Sequence, residues 1–263
     1  MEAKGQRLDT LMVERGLAET RSRAQGLILA GVVRVGDHIV TKAGSRVPLN
    51  EPLSVIQGNR FVSRAGEKLD AALDGFGIEV MGRRCLDAGA STGGFTDVLL
   101  KRGAERVLSV DVGYGQLDWS LRQDPRVIVL ERTNVRHLKG SDLPFGLDLL
   151  VADLSFISLG VALRTLLSTT PSLNEAVVLV KPQFEAGPGL VGRGGVVGDP
   201  GVRAGVILDV VESFAGVGFG AVDLAAAAVT GRKSGNQEYP LRLLRGTSAS
   251  LDEGRIREVV SGA

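Results

Sequence analysis

From Arg84 onward the sequence predicts an α/β protein with a doubly wound, mostly parallel sheet, preceded by a small α+β module. Three observations carry this. Apolar strand-like runs alternate with helical stretches, the pattern of strands joined by crossover helices. Two runs end in a charged residue, Leu149-Leu150-Val151-Ala152-Asp153 and Val177-Val178-Leu179-Val180-Lys181. A glycine-rich turn, Asp87-Ala88-Gly89-Ala90-Ser91-Thr92-Gly93-Gly94-Phe95-Thr96, follows the first strand. Open α/β sheets bind ligands at the carboxyl ends of their strands. A nucleotide-type cofactor, a carboxylate and an amine are therefore expected on one sheet edge.

Composition narrows the class. The 263 residues allow a core domain plus a small accessory one, and 44% apolar with 23% charged residues is ordinary globular usage. Net charge is +1, but nine Lys/Arg against six Asp/Glu make residues 1–60 +3 and leave −2 for the rest. A basic amino-terminal module hints at nucleic acid, although a solvated surface explains the charge equally well. Cys85 is alone, so no disulfide and no Cys-x-x-Cys site is expected. His38 and His137 are far apart, and no metal is expected. No signal peptide or 18-residue apolar span is visible. The expectation is a cytoplasmic protein without a membrane segment.

In the first module Leu8, Leu11 and Met12 recur at helical spacing until Gly16. Thr20 can cap a second helix that turns Ala24, Leu27 and Ile28 inward and Arg21 and Arg23 outward. Val33 and Val35 alternate with Arg34 before a Gly36-Asp37 turn, and 39–40 and 53–55 read as short strands. This arrangement, with Arg7-Leu8-Asp9, Arg15-Gly16-Leu17-Ala18, Thr20-Arg21, Ala30-Gly31 and Val33-Arg34-Val35-Gly36-Asp37, resembles the S4 RNA-binding domain. Val35 stands where many members have Asn. The resemblance implies that Arg7, Arg21, Arg23 and Lys42 meet RNA phosphates, contacts that position an RNA without reading its sequence. Arg64, beyond the module, is a further candidate RNA contact. The expected organisation is 1–57 for this module, 58–63 for a polar joint and 64–263 for the α/β domain.

Past the joint, residues 64–73 are helical, with Leu69, Ala72, Leu73 and Phe76 on one face and Lys68 at its border. Strands are expected near 84–88, 106–111, 126–130, 147–153, 175–181, 219–229 and 238–244, the last antiparallel. Helices are expected near 94–103, 115–122, 159–168 and 202–216, with Ser91 or Thr92 capping the first. A short charged helix is expected at 251–260.

The spacing Asp87-x-Gly89-x-Ser91-x-Gly93 is not the G-x-G-x-x-G dinucleotide fingerprint. It resembles the acidic-x-G-x-G-x-G motif of S-adenosylmethionine (SAM) methyltransferases, with Ser91 at the middle glycine. On that resemblance the whole turn, Asp87 and Gly89 to Thr96 including Ala90, Thr92, Gly94 and Phe95, lies at the cofactor. Asp111 would take the ribose hydroxyls and Asn134 the adenine, and Asp153 would also contact the cofactor. An NAD site remains an alternative, because an acidic residue at 111 suits either ribose.

The nucleophile sets the subclass. Exocyclic amine methylation uses an Asn/Asp-Pro-Pro-aromatic loop, but this chain has Asp153-Leu154-Ser155-Phe156. Methylation at pyrimidine C5 needs a cysteine nucleophile, and Cys85 sits inside a strand. A ribose hydroxyl needs polarisation or deprotonation. A lysine serves as base only if its pKa is depressed, for which a second lysine, Lys68, is the candidate. Asp153 can hold one ammonium in place, and Glu238, opening the last strand, can orient Lys68 or the ribose.

Lys68, Asp153, Lys181 and Glu238 match in order the Lys-Asp-Lys-Glu tetrad of the FtsJ-like 2′-O-ribose methyltransferases. Further matches are Ser63-Arg64-Ala65-Gly66-Glu67-Lys68-Leu69, Asp111-Val112-Gly113-Tyr114-Gly115-Gln116-Leu117, Lys181-Pro182-Gln183-Phe184-Glu185 and Gly194-Gly195-Val196-Val197. With these the chain closely resembles the TlyA family, in which an S4 domain is fused to an FtsJ-like, Rossmann-like methyltransferase. The resemblance implies SAM-dependent 2′-O-methylation of cytidine in ribosomal RNA and a link to susceptibility to capreomycin-type antibiotics. Members are of a shorter, large-subunit type or a longer type acting on both subunits. Residues Met1–Gln6 and the terminal helix favour the longer type. Two other readings stay open: a membrane-active haemolysin, a label such proteins often carry, and a non-catalytic RNA-binding or assembly factor.

Overall fold

The computed structural model describes residues 5–55, 60–192, 194–229 and 235–262. The chain divides into two compact units, 1–60 and 61–263. Of the joint expected at 58–63, residues 58 and 59 lie outside the described residues, and 61–63 belong to the second unit. Phe61 is buried in that unit's core, and Val62 N donates to Asp97 Oδ2 at 2.9 Å.

The first unit runs β1 (Gln6–Arg7), α1 (Leu8–Glu14), α2 (Arg21–Leu29), β2 (Val33–Val35), β3 (His38–Ile39), β4 (Arg46–Val47) and β5 (Leu53–Val55). Thr20 caps α2 as expected, accepting from Arg23 N at 3.1 Å. Leu8, Leu11, Met12, Ala24, Ile28, Val33 and Val47 form its core. Full burial of each larger side chain contributes roughly 1.5–3 kcal/mol. Sequence periodicity missed the β1–β4 pair, because two-residue strands are too short to show a period of two. Gln6, expected to precede the domain, is paired with Val47 in it; residues 1–4 of that extension lie outside the described residues.

The second unit opens with α3 (Ala65–Gly75) and continues β6 (Arg84–Ala88), α4 (Gly94–Lys101), β7 (Arg106–Val110), α5 (Trp119–Arg122), β8 (Val127–Leu130), β9 (Leu149–Ala152), α6 (Leu159–Thr169), β10 (Glu175–Val180), α7 (Pro182–Glu185), α8 (Pro200–Ala215), β11 (Phe219–Leu224), β12 (Tyr239–Arg245) and α9 (Glu253–Ser261). The seven strands stand in the order β8-β7-β6-β9-β10-β12-β11. All pairs are parallel except those made by β12. Alternate side chains fill two cores, as a sheet covered on both faces requires. Leu150, Ala152, Ala176, Val178 and Val180 face α6 and α8, while Leu149, Val151, Val177 and Leu179 face α3 and α4.

Three local expectations are corrected. Neither Ser91 nor Thr92 caps α4: its N-cap is Gly93, at φ +96°, with no side-chain cap bond. The helix expected from 115 starts only at Trp119, because Gly115 turns the chain at φ +68° and Asp118 caps the helix by accepting from Ser120 N. The strand expected over 219–229 ends at Leu224, where its register with β12 has already slipped between Ala221 and Asp223.

Candidate active site

The order of strands reverses between β6 and β9, and ligands bind at such a switch point. A cleft of about 570 Å³ lies there. It is lined by Gly89 and Ser91 after β6, Asp111 after β7, Asn134 after β8, and Asp153 to Ile157 after β9. The backbone is strained around its rim. Ser91, Arg132 and Phe156 are the non-glycine residues with positive φ among those described, and all three sit on carboxyl-edge loops. Such strain gathers at functional sites because the surrounding structure must hold it.

Each wall has a reason. Gly89 has φ +85°, and a Cβ there would lie 2.6 Å from Asp153 O, so only glycine lets the β6 and β9 loops meet. Asp111 accepts from Ser91 N at 2.8 Å and from Gly113 N at 2.6 Å, which fixes its carboxylate at the cleft. Asn134 accepts from Arg136 N at 3.0 Å, which orients its amide. Asp87 lies beneath, fully buried, with Thr96 Oγ1 donating at 2.7 Å and Ser109 Oγ 2.7 Å from that same hydroxyl. Burial pushes the Asp87 carboxyl up to about 7, against the lowering effect of the Thr96 bond. Ala90, Gly93, Gly94 and Phe95 are buried in the packing of α4, while Thr92 is exposed; none of these lines the cleft.

The raised Asp87 carboxyl has a sign that can be checked. Its folded pKa exceeds its unfolded value, so the protonated form favours the fold; that contribution is complete below about pH 4 and is lost as pH rises through 7. The expected stability loss between those limits is roughly 4 kcal/mol. Denaturant titrations of the ligand-free protein and Asp87→Asn check it: the gap between them should change across this window, and parallel profiles would refute the assignment.

Four charged side chains meet at the neighbouring edge. Lys181 follows β10 and Glu238 precedes β12; because Val180 pairs with Tyr239, the next register step places Lys181 opposite Glu238. Lys68 Nζ lies 2.5 Å from Glu238 Oε2, with side chains only 12% and 5% exposed. Lys181 Nζ lies 2.5 Å from Asp153 Oδ1, an ion pair without hydrogen-bond alignment, and donates to Ser155 Oγ at 3.0 Å. Close packing of α3 on α4 sets Lys68. A Cβ on Gly94 would run into Ser63 Oγ and sit 3.0 Å from Gly66 N, and a Cβ on Gly66 would lie 2.6 Å from Phe61. Each ammonium has its own carboxylate, Lys181 with Asp153 and Lys68 with Glu238. Such pairs can hold a hydroxyl between a cation and a base.

Sequence reasoning missed the aromatic edge of the cleft. Phe156 is 89% exposed at φ +64°, its ring centroid 4.8 Å from that of Phe184. A large apolar side chain held in a strained backbone and left in solvent suits a stacking surface. The only signal was its place three residues after Asp153. Glu185 ties the same loops together, accepting from Leu159 N at 2.8 Å at the start of α6. Cys85 is buried, and burial pushes its thiol up to about 12. The native protein should therefore show no reaction with a thiol reagent until unfolded; rapid labelling would contradict the burial. Among the described residues no group of His, Cys, Asp and Glu could hold a metal ion. None of the described helices is long and apolar enough to cross a membrane.

Comparison with known proteins places the fold in a family. The family model described as FtsJ-like methyltransferase matches residues 61–243, and that of the S4 domain matches residues 6–53. The chain belongs to the FtsJ-like methyltransferases and carries an S4 domain. It is 48% identical over 263 residues to the 16S/23S rRNA (cytidine-2′-O)-methyltransferase TlyA of Mycobacterium tuberculosis, covering 99% of this chain and 98% of that one. The 23S rRNA (cytidine-2′-O)-methyltransferase TlyA of Campylobacter jejuni is 36% identical over 68% of this chain and 69% of its own. A solved, provisionally named hemolysin of Streptococcus thermophilus has TM-score 0.74 and 36% identity over 99% of this chain and 96% of its own. Within the FtsJ-like enzymes, the chain is a member of the TlyA family, which the hemolysin-named protein shares.

Proposed function

We propose that this enzyme methylates the ribose 2′-hydroxyl of cytidine in ribosomal RNA of both ribosomal subunits, using SAM. The observation that carries the chemistry is the pair of ion pairs, Lys181–Asp153 and Lys68–Glu238, at the sheet edge beside the cleft. Full-length similarity to a relative named for both 16S and 23S rRNA supports the dual substrate. A ribosomal substrate is consistent with a cytoplasmic protein.

The cleft suits SAM. Its volume falls in the range of small-molecule sites. The Asp111 carboxylate can take ribose hydroxyls, the Asn134 amide an adenine edge, and the Gly89 backbone allows close approach. Bound there, SAM supplies a methyl group activated by its sulfonium. The chain's own residues prepare the acceptor. Lys181 has three protons; Ser155 Oγ accepts one, and Asp153 stands beside the ammonium as its counter-charge, which leaves a proton for the ribose oxygen. The ammonium stabilises charge developing on that oxygen, and the hydroxyl proton passes to the Asp153 carboxylate as the oxygen bonds the methyl carbon and the carbon–sulfur bond breaks. Glu238 holds Lys68 in place beside them. Phe156 offers its face to an unstacked base.

Arg7, Arg21, Arg23, Lys42 and Arg64 are exposed and supply phosphate contacts in this reading. Replacing Arg21 and Arg23 together with alanine should weaken binding to ribosomal subunits and flatten the dependence of log K on log salt. Equal affinity at low and high salt would remove the basic face from the account. The chemistry has a separate test. A 2′-O-methyl group blocks alkaline cleavage of the following phosphodiester, so treated ribosomal RNA should show newly protected cytidines. An unchanged ladder after SAM-dependent labelling would place the methyl group on a base.

A further inference from the structure

We propose that Asp9 is a positioning residue for RNA binding, holding the guanidiniums of Arg7 and Arg21 on one buried carboxylate so that their remaining donors are preset for phosphates. The inference rests on the RNA-binding reading above and deepens it. Asp9 is fully buried, in the first turn of α1, where a carboxylate is favoured by the helix dipole. Arg7 Nε donates to Oδ1 at 3.0 Å and Arg7 Nη2 to Oδ2 at 2.8 Å, a two-pronged contact. Arg21 Nε donates to Oδ2 at 3.0 Å, and Gln25 Nε2 to the same oxygen at 2.9 Å. The Arg7 hydrogen bonds hold the Asp9 carboxyl well below the usual carboxylate range.

The two arginines themselves stay exposed, 46% and 56% by side chain. This grip leaves Nη1 of Arg7 and both terminal nitrogens of Arg21 outside the carboxylate. Arg7 also packs over Gly44, where a Cβ would lie 3.3 Å from Nη1, and it lines a cleft with Thr10 and Arg46. Long cationic side chains lose considerable rotamer freedom when they grip a ligand. A carboxylate that fixes both beforehand removes much of that cost. A buried anion beneath a basic face otherwise works against RNA binding, so positioning is the role that offsets its charge.

The test turns on sign. Asp9→Asn adds one positive charge, so simple electrostatics predicts tighter binding. Positioning predicts weaker binding, by roughly tenfold or more, with the salt slope reduced by about one unit for each phosphate that is no longer neutralised. Affinity of the full chain for large ribosomal subunits lacking the modification is measured at several salt concentrations. Unchanged or tighter binding with an unchanged slope overturns the proposal. The same substitution in an Arg7→Ala, Arg21→Ala background separates positioning from folding. No further weakening is expected there; a weakening as large as in the native chain shows that Asp9 serves the fold alone and also overturns it. If the native chain does not bind the subunits at any salt concentration, the RNA-binding reading itself fails, an outcome distinct from either.

Discussion

Lys181→Ala lowers the rate of methyl transfer by about a thousandfold or more, while SAM affinity stays within about twofold. The size follows from the role. A group that polarises the nucleophile and takes part in its proton transfer typically contributes 10²–10⁴-fold, and a thousandfold corresponds to about 4 kcal/mol of barrier. Binding is expected to survive because Lys181 does not line the cleft, whose walls include Gly89, Asp111 and Asn134 after other strands. Single-turnover rates at saturating SAM, with a separate binding titration, read the two effects apart. The variant leaves Asp153 without its ion-pair partner, so its melting temperature is compared alongside. A wild-type rate would remove Lys181 from the mechanism.

Gly89→Ala has the opposite signature. The new Cβ would meet Asp153 O at 2.6 Å, and a backbone at φ +85° disfavours any L side chain. The expected result is at least about tenfold weaker SAM binding and a melting temperature lower by several degrees, since the strain is on the order of 1–3 kcal/mol. Transfer falls as well, because Asp153 must move with its carbonyl. Calorimetry of SAM binding and a thermal melt check it. Native affinity would mean that the close approach of the β6 and β9 loops does not shape the site. Together the variants separate chemistry at β10 from binding at β6.

Asp153 and Lys181 were legible in the sequence because each ends an apolar run. Asp153 and Lys181 end fully buried strands, and Glu238 opens one, so strand periodicity alone placed them on the sheet edge. Lys68 was legible by its position at the border of the apolar stripe of α3 and by its place in the tetrad that the family resemblance implies. Asp153 and Glu238 could be read as partners for the lysines, but not how the chain brings each pair together. Lys68 and Glu238 are 170 residues apart, and only the antiparallel insertion of β12 beside β10 brings them together. The same limit hid the Asp9 cluster: Arg21 reads as an outward residue of α2, yet it and Gln25 both reach back to Asp9 in α1. Turn chemistry was the other gap. Ser91 looked like a helix cap by residue type, but its φ of +49° sends its N–H to Asp111 instead, a choice set by the β7 loop rather than by its neighbours in sequence.

The measurement that bears most directly on the central claim uses the purified chain, methyl-labelled SAM, and separate small and large ribosomal subunits lacking the modification. The label is mapped to nucleotide and atom. The account predicts label on the ribose 2′-oxygen of cytidine in both subunits. Label on a base, or no label on either subunit while SAM still binds, contradicts it.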